Sequence, residues 1–203
     1  TAYGNVGGIT PRITLNKESG VLNVFFSIFH KIYQYSIADG SLVNVIDLKP
    51  LQFNSGNEQP AKASDRKSGW LRNGGSLINS SYHDMVQVGD YTLIRYSSAI
   101  SLTEAEILVN SGGPSQGESW ETLRRTSYKF YYLLIKGDEV IKQDFLLEEL
   151  SPQPGEEHFQ NVTKLRGQLI GGDSLNALYV LYNNGYAEER DYKLIVKYQL
   201  KMN

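Results

Sequence analysis

A chain of 203 residues with 40% apolar side chains can bury one sizeable core or two small ones, which excludes a wholly disordered polypeptide. Twenty basic residues against 22 acidic ones leave a formal charge of -2, with no basic run to follow a phosphate backbone, so nucleic acid is not an expected partner. The absence of cysteine removes disulfides, thiol nucleophiles and Cys-ligated metals, and no apolar stretch approaches the roughly 18 residues of a membrane-spanning helix.

Fourteen Tyr, seven Phe and nineteen Gly, set in short β-branched and aromatic runs between turn signals, point to strands. In chain order the alternation predicts strands at Leu22 to Ile28, Lys31 to Ile37, Leu42 to Leu48, Met85 to Val88, Tyr91 to Tyr96, Lys129 to Ile135, Val140 to Leu147, Leu175 to Tyr182 and Lys193 to Leu200. Asp39-Gly40, Gly89-Asp90 and Gly137-Asp138 each lie between two such runs and predict tight antiparallel hairpins. A helix over about 102–110 is expected as an insertion, because Ser101 and Glu104 have capping-box spacing, Ala105, Leu108 and Val109 form an apolar side, and Gly112-Gly113 supplies a stop.

The runs fall into three units, about 10–50, 82–150 and 159–203, separated by the polar stretches Phe53 to Gly69 and Glu148 to Glu157. About four antiparallel strands per unit, joined in local meanders, is the plan of a β-propeller blade; a sandwich and a jelly roll are the alternatives, and the meander favours the propeller because Greek-key folds would scatter the long connections. The expected fold is therefore all-β, a partial β-propeller with one short inserted helix. Its third unit lacks a fourth strand, so the chain is expected to pack against a missing N-terminal half or a second copy, with the strand at Lys193 paired on both sides. The chain begins at Thr1 rather than Met, consistent with a mature, trimmed or partial form.

The stretch Pro11-Arg12-Ile13-Thr14-Leu15-Asn16-Lys17-Glu18-Ser19-Gly20, followed by a strand and by Lys31-Ile32-Tyr33-Gln34-Tyr35, resembles blades of six-bladed propeller lipoproteins of Bacteroidetes, the domain of unknown function 4221 family. That resemblance implies a C-terminal half of a protein about twice this length. It also implies a periplasmic or cell-surface location, with any lipid anchor carried by the full-length form, because these residues contain no cysteine to acylate.

Few residues suggest chemistry. His30, His83 and His158 have no zinc-type spacing, so no metal and no cofactor are expected. No Gly-x-Ser-x-Gly elbow is present, and Gly112 to Gly117 lacks the Lys-Ser/Thr of a phosphate loop. Glu104, Glu106, Glu118 and Glu121, and Glu148, Glu149, Glu156 and Glu157, are read first as solvated loop charge. Tyr91, Tyr131, Tyr132 and Tyr182 are expected to pack between blades, whereas loop-borne Trp70 and Trp120, with Tyr186, are the candidate ligand-binding residues, since flat aromatic faces bind sugars and peptides. The favoured function is a non-enzymatic binding module holding a glycan, peptide or protein partner. A carbohydrate-processing enzyme with a carboxylate pair at the propeller axis, and a structural subunit of an outer-membrane complex, are the alternatives.

Overall fold

Turn chemistry sets the first sheet. Gly20 and Gly40 adopt φ of 63° and 73°, conformations that side chains with a Cβ disfavour, and Asp39 accepts from the Ser41 backbone N–H and hydroxyl. These turns join β1 (Pro11–Asn16) to β2 (Val21–Phe26) and β3 (Lys31–Ser36) to β4 (Leu42–Asp47), giving a four-stranded antiparallel meander in the order β1-β2-β3-β4. The computed structural model describes residues 11–17, 19–27, 29–54, 79–99, 129–147, 168–183 and 193–200.

The second sheet repeats the plan. β5 (Ser81–Val88) turns at Gly89 into β6 (Tyr91–Ser97), and β7 (Phe130–Lys136) turns at Gly137 into β8 (Glu139–Phe145), in the order β5-β6-β7-β8. The third sheet contains β9 (Gln168–Gly172), β10 (Ala177–Asn183) and β11 (Lys193–Gln199), again antiparallel and in sequence order. All the described regular structure is strand, and every sheet is a local meander with no Greek-key crossover. The expected all-β, blade-like architecture is therefore present. The expected helix near 102–110 lies outside the described residues.

Two strands escaped the sequence pattern, β1 and β9, and each is the first of its sheet. β1 begins at a proline, and its Ile13 and Leu15 are exposed. β9 is five residues ending in Gly171-Gly172, a composition that reads as a turn. The glycine at 172 has a tertiary cause: a Cβ there would lie 2.5 Å from the Gln87 carbonyl oxygen, so β9 approaches the backbone of β5 more closely than any side chain allows.

The first strands neighbour one another, with β5 between β1 and β9, and the sheets stack in chain order. Backbone bonds stitch the stack: Tyr82 N–H donates to Ser27 at 2.8 Å, and Gly89 N–H donates to Asp173 at 2.7 Å. Sheet 2 is covered on both sides. Phe25, Ile32, Ile46 and Leu48 pack against its Tyr82, Met85, Ile94, Tyr96, Leu133 and Ile135. Its Val86, Val88, Leu93, Tyr132 and Leu134 pack against Leu169, Leu178 and Val180. One register shift, between Tyr82 and Asp84, lets even and odd positions of β5 serve the same face, because a bulge resets the alternation.

Beside the apolar row of sheet 1, the inward face carries a polar row. Gln34 donates to Asn23 at 2.8 Å and accepts from Asn44 at 3.1 Å, which satisfies the buried Asn23 side chain across three strands. The outward face consists of cross-strand rows of the opposite parity, Ile13-Val24-Tyr33-Val45 and Leu15-Leu22-Tyr35-Leu42. Ile13, Leu15, Leu42 and Val43 are 57%, 42%, 53% and 53% exposed there.

Candidate functional site

Where sheet 1 leads into sheet 2, the two longest connections of this region leave the fold side by side. The connection after β4 is pinched by Ser80 N–H donating to the Asn54 carbonyl at 2.7 Å and Asn54 N–H donating to the Ser80 hydroxyl at 2.9 Å. The connection from β6 to β7 is pinched in the same reciprocal manner: Ser98 N–H donates to Lys129 at 2.8 Å, and Lys129 N–H donates to the Ser98 hydroxyl at 2.9 Å. A serine next to a strand end suits this role because its short hydroxyl reaches a neighbouring backbone group.

Between the two necks lies an open cleft of about 390 Å³, lined by Leu51, Gln52, Phe53, Asn54, Ser98, Ala99, Lys129 and Tyr131. Two of its lining side chains are aromatic, Phe53 and Tyr131. The Phe53 ring sits 4.7 Å from Tyr82, 4.6 Å from His30 and 5.6 Å from Tyr96, and Tyr131 stacks on Tyr96 at 5.6 Å. Behind the rings, His30 Nδ1 shares a hydrogen bond of 2.8 Å with the Tyr82 hydroxyl. The Tyr96 hydroxyl donates to Asp144 Oδ1, and Asp144 Oδ2 accepts from Leu51 N–H at 2.8 Å.

Asp144 reaches this place through a strand irregularity. The pairing of β7 with β8 shifts register between Tyr132 and Leu134, and Asp144 takes a φ of 54°, which turns it out of the regular pleat. Aspartate is among the few residues that tolerate this left-handed conformation. One carboxylate thereby ties β6 of sheet 2 to the segment leaving sheet 1.

Burial first, and then the field of Asp144, hold the Tyr82 phenol far above the ordinary tyrosine range. Burial, the bond to Asp144 and its charge do the same to Tyr96. Neither phenol can supply a phenolate near neutral pH. Burial lowers the pKa of His30, keeping the imidazole neutral. The Tyr82, Tyr96 and His30 groups behind the wall are bonded within the fold, while the cleft itself is lined by the polar residues Gln52, Asn54, Ser98 and Lys129 and by the rings of Phe53 and Tyr131. That set suits recognition: hydrogen bonds in both directions, one positive charge and flat apolar faces.

The opposite face of sheet 2 holds a second polar centre. Arg95 Nη2 lies 2.5 Å from Asp84 Oδ2, with side chains 7% and 13% exposed, and the guanidinium sits 4.6 Å over the Phe130 ring. Leu169 N–H of β9 donates to the same Asp84 oxygen at 3.3 Å, while Arg95 Nε and Nη1 are buried without a hydrogen-bond partner. This pair clamps sheet 2 to sheet 3.

Of the residues singled out from sequence, Trp70, Trp120 and Tyr186 lie outside the described residues, as do His158, the eight loop glutamates and Gly112 to Gly117. Trp70 belongs to the connection whose neck is Asn54 and Ser80, and Trp120 to the one whose neck is Ser98 and Lys129. His30 and His83 are both described and serve different surroundings, since the His83 ring contacts Phe130 at 5.4 Å and its Nε2 lies 3.2 Å from the Ser81 hydroxyl. Among the described residues no three metal-ligating side chains converge. Tyr131 stacks on Tyr96 within the packing of sheets 1 and 2 and also lines the cleft, whereas Tyr91 and Tyr132 pack toward sheet 3. Phe53, Lys129 and Asp144 had no sequence signal beyond an aromatic beside a polar stretch, a strand-end lysine and an acid within a strand.

Stacked antiparallel meanders with adjacent first strands define an all-β, blade-like class of protein. A crystal structure of a member of the domain of unknown function 4221 family from Bacteroides vulgatus is similar to this chain, with a TM-score of 0.52 and 11% identity, covering 96% of this chain and 47% of that one. At that identity the likeness is one of fold, and the chain spans about half the length of that structure. No protein-family profile matches the chain, and no curated protein does. No helix among the described residues is long and apolar enough to cross a membrane.

Proposed function

We propose that this chain is an extracytoplasmic, non-enzymatic binding module whose inter-sheet loops hold a glycan, peptide or protein partner, with the cleft between the two necks as its centre. The observation that carries the reading is the convergence of both necks on one open cleft whose described lining includes Gln52, Lys129 and the rings of Phe53 and Tyr131 but no carboxylate. The nearest described acid to the rings, Asp144, already accepts from Tyr96 and from the Leu51 backbone. Trp70 and Trp120 belong by sequence to the connections rooted at those necks, and aromatic residues of that kind are suited to stacking on a sugar ring or a peptide side chain. A periplasmic or cell-surface setting fits the fold likeness to a protein from Bacteroides.

The test is a glycan and peptide array followed by calorimetry on the best hit. Gln52→Ala with Lys129→Ala is expected to weaken binding roughly 10-fold or more, and Trp70→Ala or Trp120→Ala similarly, because loss of a hydrogen bond to a charged group or of a ring anchor costs about 1.5–3 kcal/mol. Binding unchanged in all three variants, or release of cleaved product from a bound saccharide, overturns the reading.

A further inference from the structure

Among the described residues that line the cleft, Lys129 carries a charge and no other does. Lys129 is exposed and forms no ion pair with a described residue, and the side chains of Gln52 and Tyr131 make no hydrogen bond to one. The carboxylate behind the rings, Asp144, is held by the Tyr96 hydroxyl and the Leu51 N–H. A cation without a counter-charge among its described neighbours favours an anionic group in the cleft.

The backbone narrows the kind of anion. The N–H groups of Leu51, Asn54, Ser98 and Lys129 all donate within the fold, to Asp144, the Ser80 hydroxyl, the Lys129 carbonyl and the Ser98 hydroxyl. These four residues therefore offer neither the run of free N–H groups that cradles a phosphate or sulfate nor a strand edge on which a peptide could pair. Phe53 and Tyr131 are half-buried, so part of each ring remains accessible. A uronic acid has the complementary parts: a C–H face for a ring, hydroxyls for the Gln52 amide, which both donates and accepts, and one carboxylate for one ammonium. An open volume of about 390 Å³ lies in the range of small-ligand sites and suits a short saccharide segment.

Resting on the reading of this cleft as a binding site, we propose that its ligand is an acidic saccharide of the uronic-acid class, with the carboxylate on Lys129, hydroxyls on Gln52 and a sugar face on the Phe53 and Tyr131 rings. An exposed ion pair is weak and screened by salt, so Lys129 sets preference for the acid over its neutral counterpart more than it sets tightness.

Calorimetry on the full chain with trigalacturonate, neutral galactotriose and a triglutamate peptide tests this. Trigalacturonate is expected to bind roughly 3- to 5-fold more tightly than galactotriose at low salt, with the difference shrinking at high salt. Lys129 takes part in its neck through the backbone, so Lys129→Ala leaves the neck in place. That variant is expected to bring the two saccharides to the same affinity, Lys129→Arg to keep the preference, and Gln52→Ala to weaken both saccharides alike. Equal binding of the two saccharides to the wild type, or a preference that survives in Lys129→Ala, overturns the acidic class and leaves the cleft as a binding site. Triglutamate bound more tightly than trigalacturonate assigns the cleft to an acidic peptide and likewise overturns the proposal. Saccharide binding untouched by both Gln52→Ala and Lys129→Ala overturns the proposal together with the placement of the binding site in this cleft.

Discussion

The two faces of sheet 2 use different physical chemistry for the same task. Toward sheet 1 the aliphatic packing of Ile32, Ile46, Leu48, Met85, Ile94, Leu133 and Ile135 is joined by a cluster of rings, Phe25, Phe53, Tyr82, Tyr96 and Tyr131, with the Tyr82 hydroxyl bonded to His30 and the Tyr96 hydroxyl to Asp144. Toward sheet 3 the contact is made mainly by branched aliphatic side chains, with one buried ion pair at the end near Phe130. Aliphatic side chains fill space without directional demands and seal the junction. Rings with polar ends pack at fixed angles and leave openings at their edges, and the described cleft opens on that side. The sealed junction and the open cleft thus lie on opposite faces of one sheet.

The sharpest way to break the comparison is Asp84→Ala, which strands the buried Arg95 guanidinium. A loss of about 3–5 kcal/mol is expected in urea unfolding, since removing one partner leaves an uncompensated buried charge. Hydrogen exchange should then speed up in β9 and β10 before β2 and β3. Equal acceleration throughout would show that the two junctions are not separable. Replacing both partners, Asp84→Leu with Arg95→Met, should recover most of the loss.

On the ring side, Tyr96→Phe deletes the bond to Asp144 and should cost about 1.5–3 kcal/mol, the range for hydrogen bonds to charged groups. Because Asp144 also holds the Leu51 amide, ligand affinity should fall with it. Gly172→Ala tests how close β9 and β5 must be. The added methyl meets the Gln87 carbonyl and Val88, and a cost of about 1–3 kcal/mol is expected from overpacking against backbone that cannot yield.

The smallest effect is a pH slope. Burial lowers the folded pKa of His30, so below the unfolded value of about 6.5 the unfolded chain binds the extra proton and stability falls as pH falls. The loss should set in as pH falls through the unfolded value, above the window in which Asp39 and Asp173, both lowered in the folded state, lose their contribution. Urea midpoints that fall from pH 7 to 5 in the wild type, and fall less in His30→Gln, would confirm it. Identical slopes would assign the effect elsewhere.

Hairpins were the most legible part of the sequence, because Asp39-Gly40, Gly89-Asp90 and Gly137-Asp138 combine a left-handed position with a capping carboxylate or a tight polar turn. β1 and β9 were not legible, since a proline start and a Gly-Gly end look like loop and only packing against β5 explains them. The cleft was legible only as an expectation that inter-blade loops bind. Lys129 and Phe53 meet through strand pairing and sheet stacking that no local pattern encodes, and Asp144 arrives by a bulge whose position depends on its partner strand. Trp70, Trp120 and Tyr186 stand as sequence-based candidates on the connections themselves.

The paired serine clasps have an engineering consequence. A loop whose ends are already held together has prepaid its closure, and each doubling of its length then costs only about 0.6 kcal/mol of chain entropy. Ser80 with Asn54 and Ser98 with Lys129 are such holders, standing side by side above a common floor of rings. The fold therefore behaves as a socket with two adjacent ports, into which unrelated sequences of different length can be fitted while the sheets below keep their register. Libraries varied between Asn54 and Ser80 and between Ser98 and Lys129 would explore new binding surfaces on an unchanged frame.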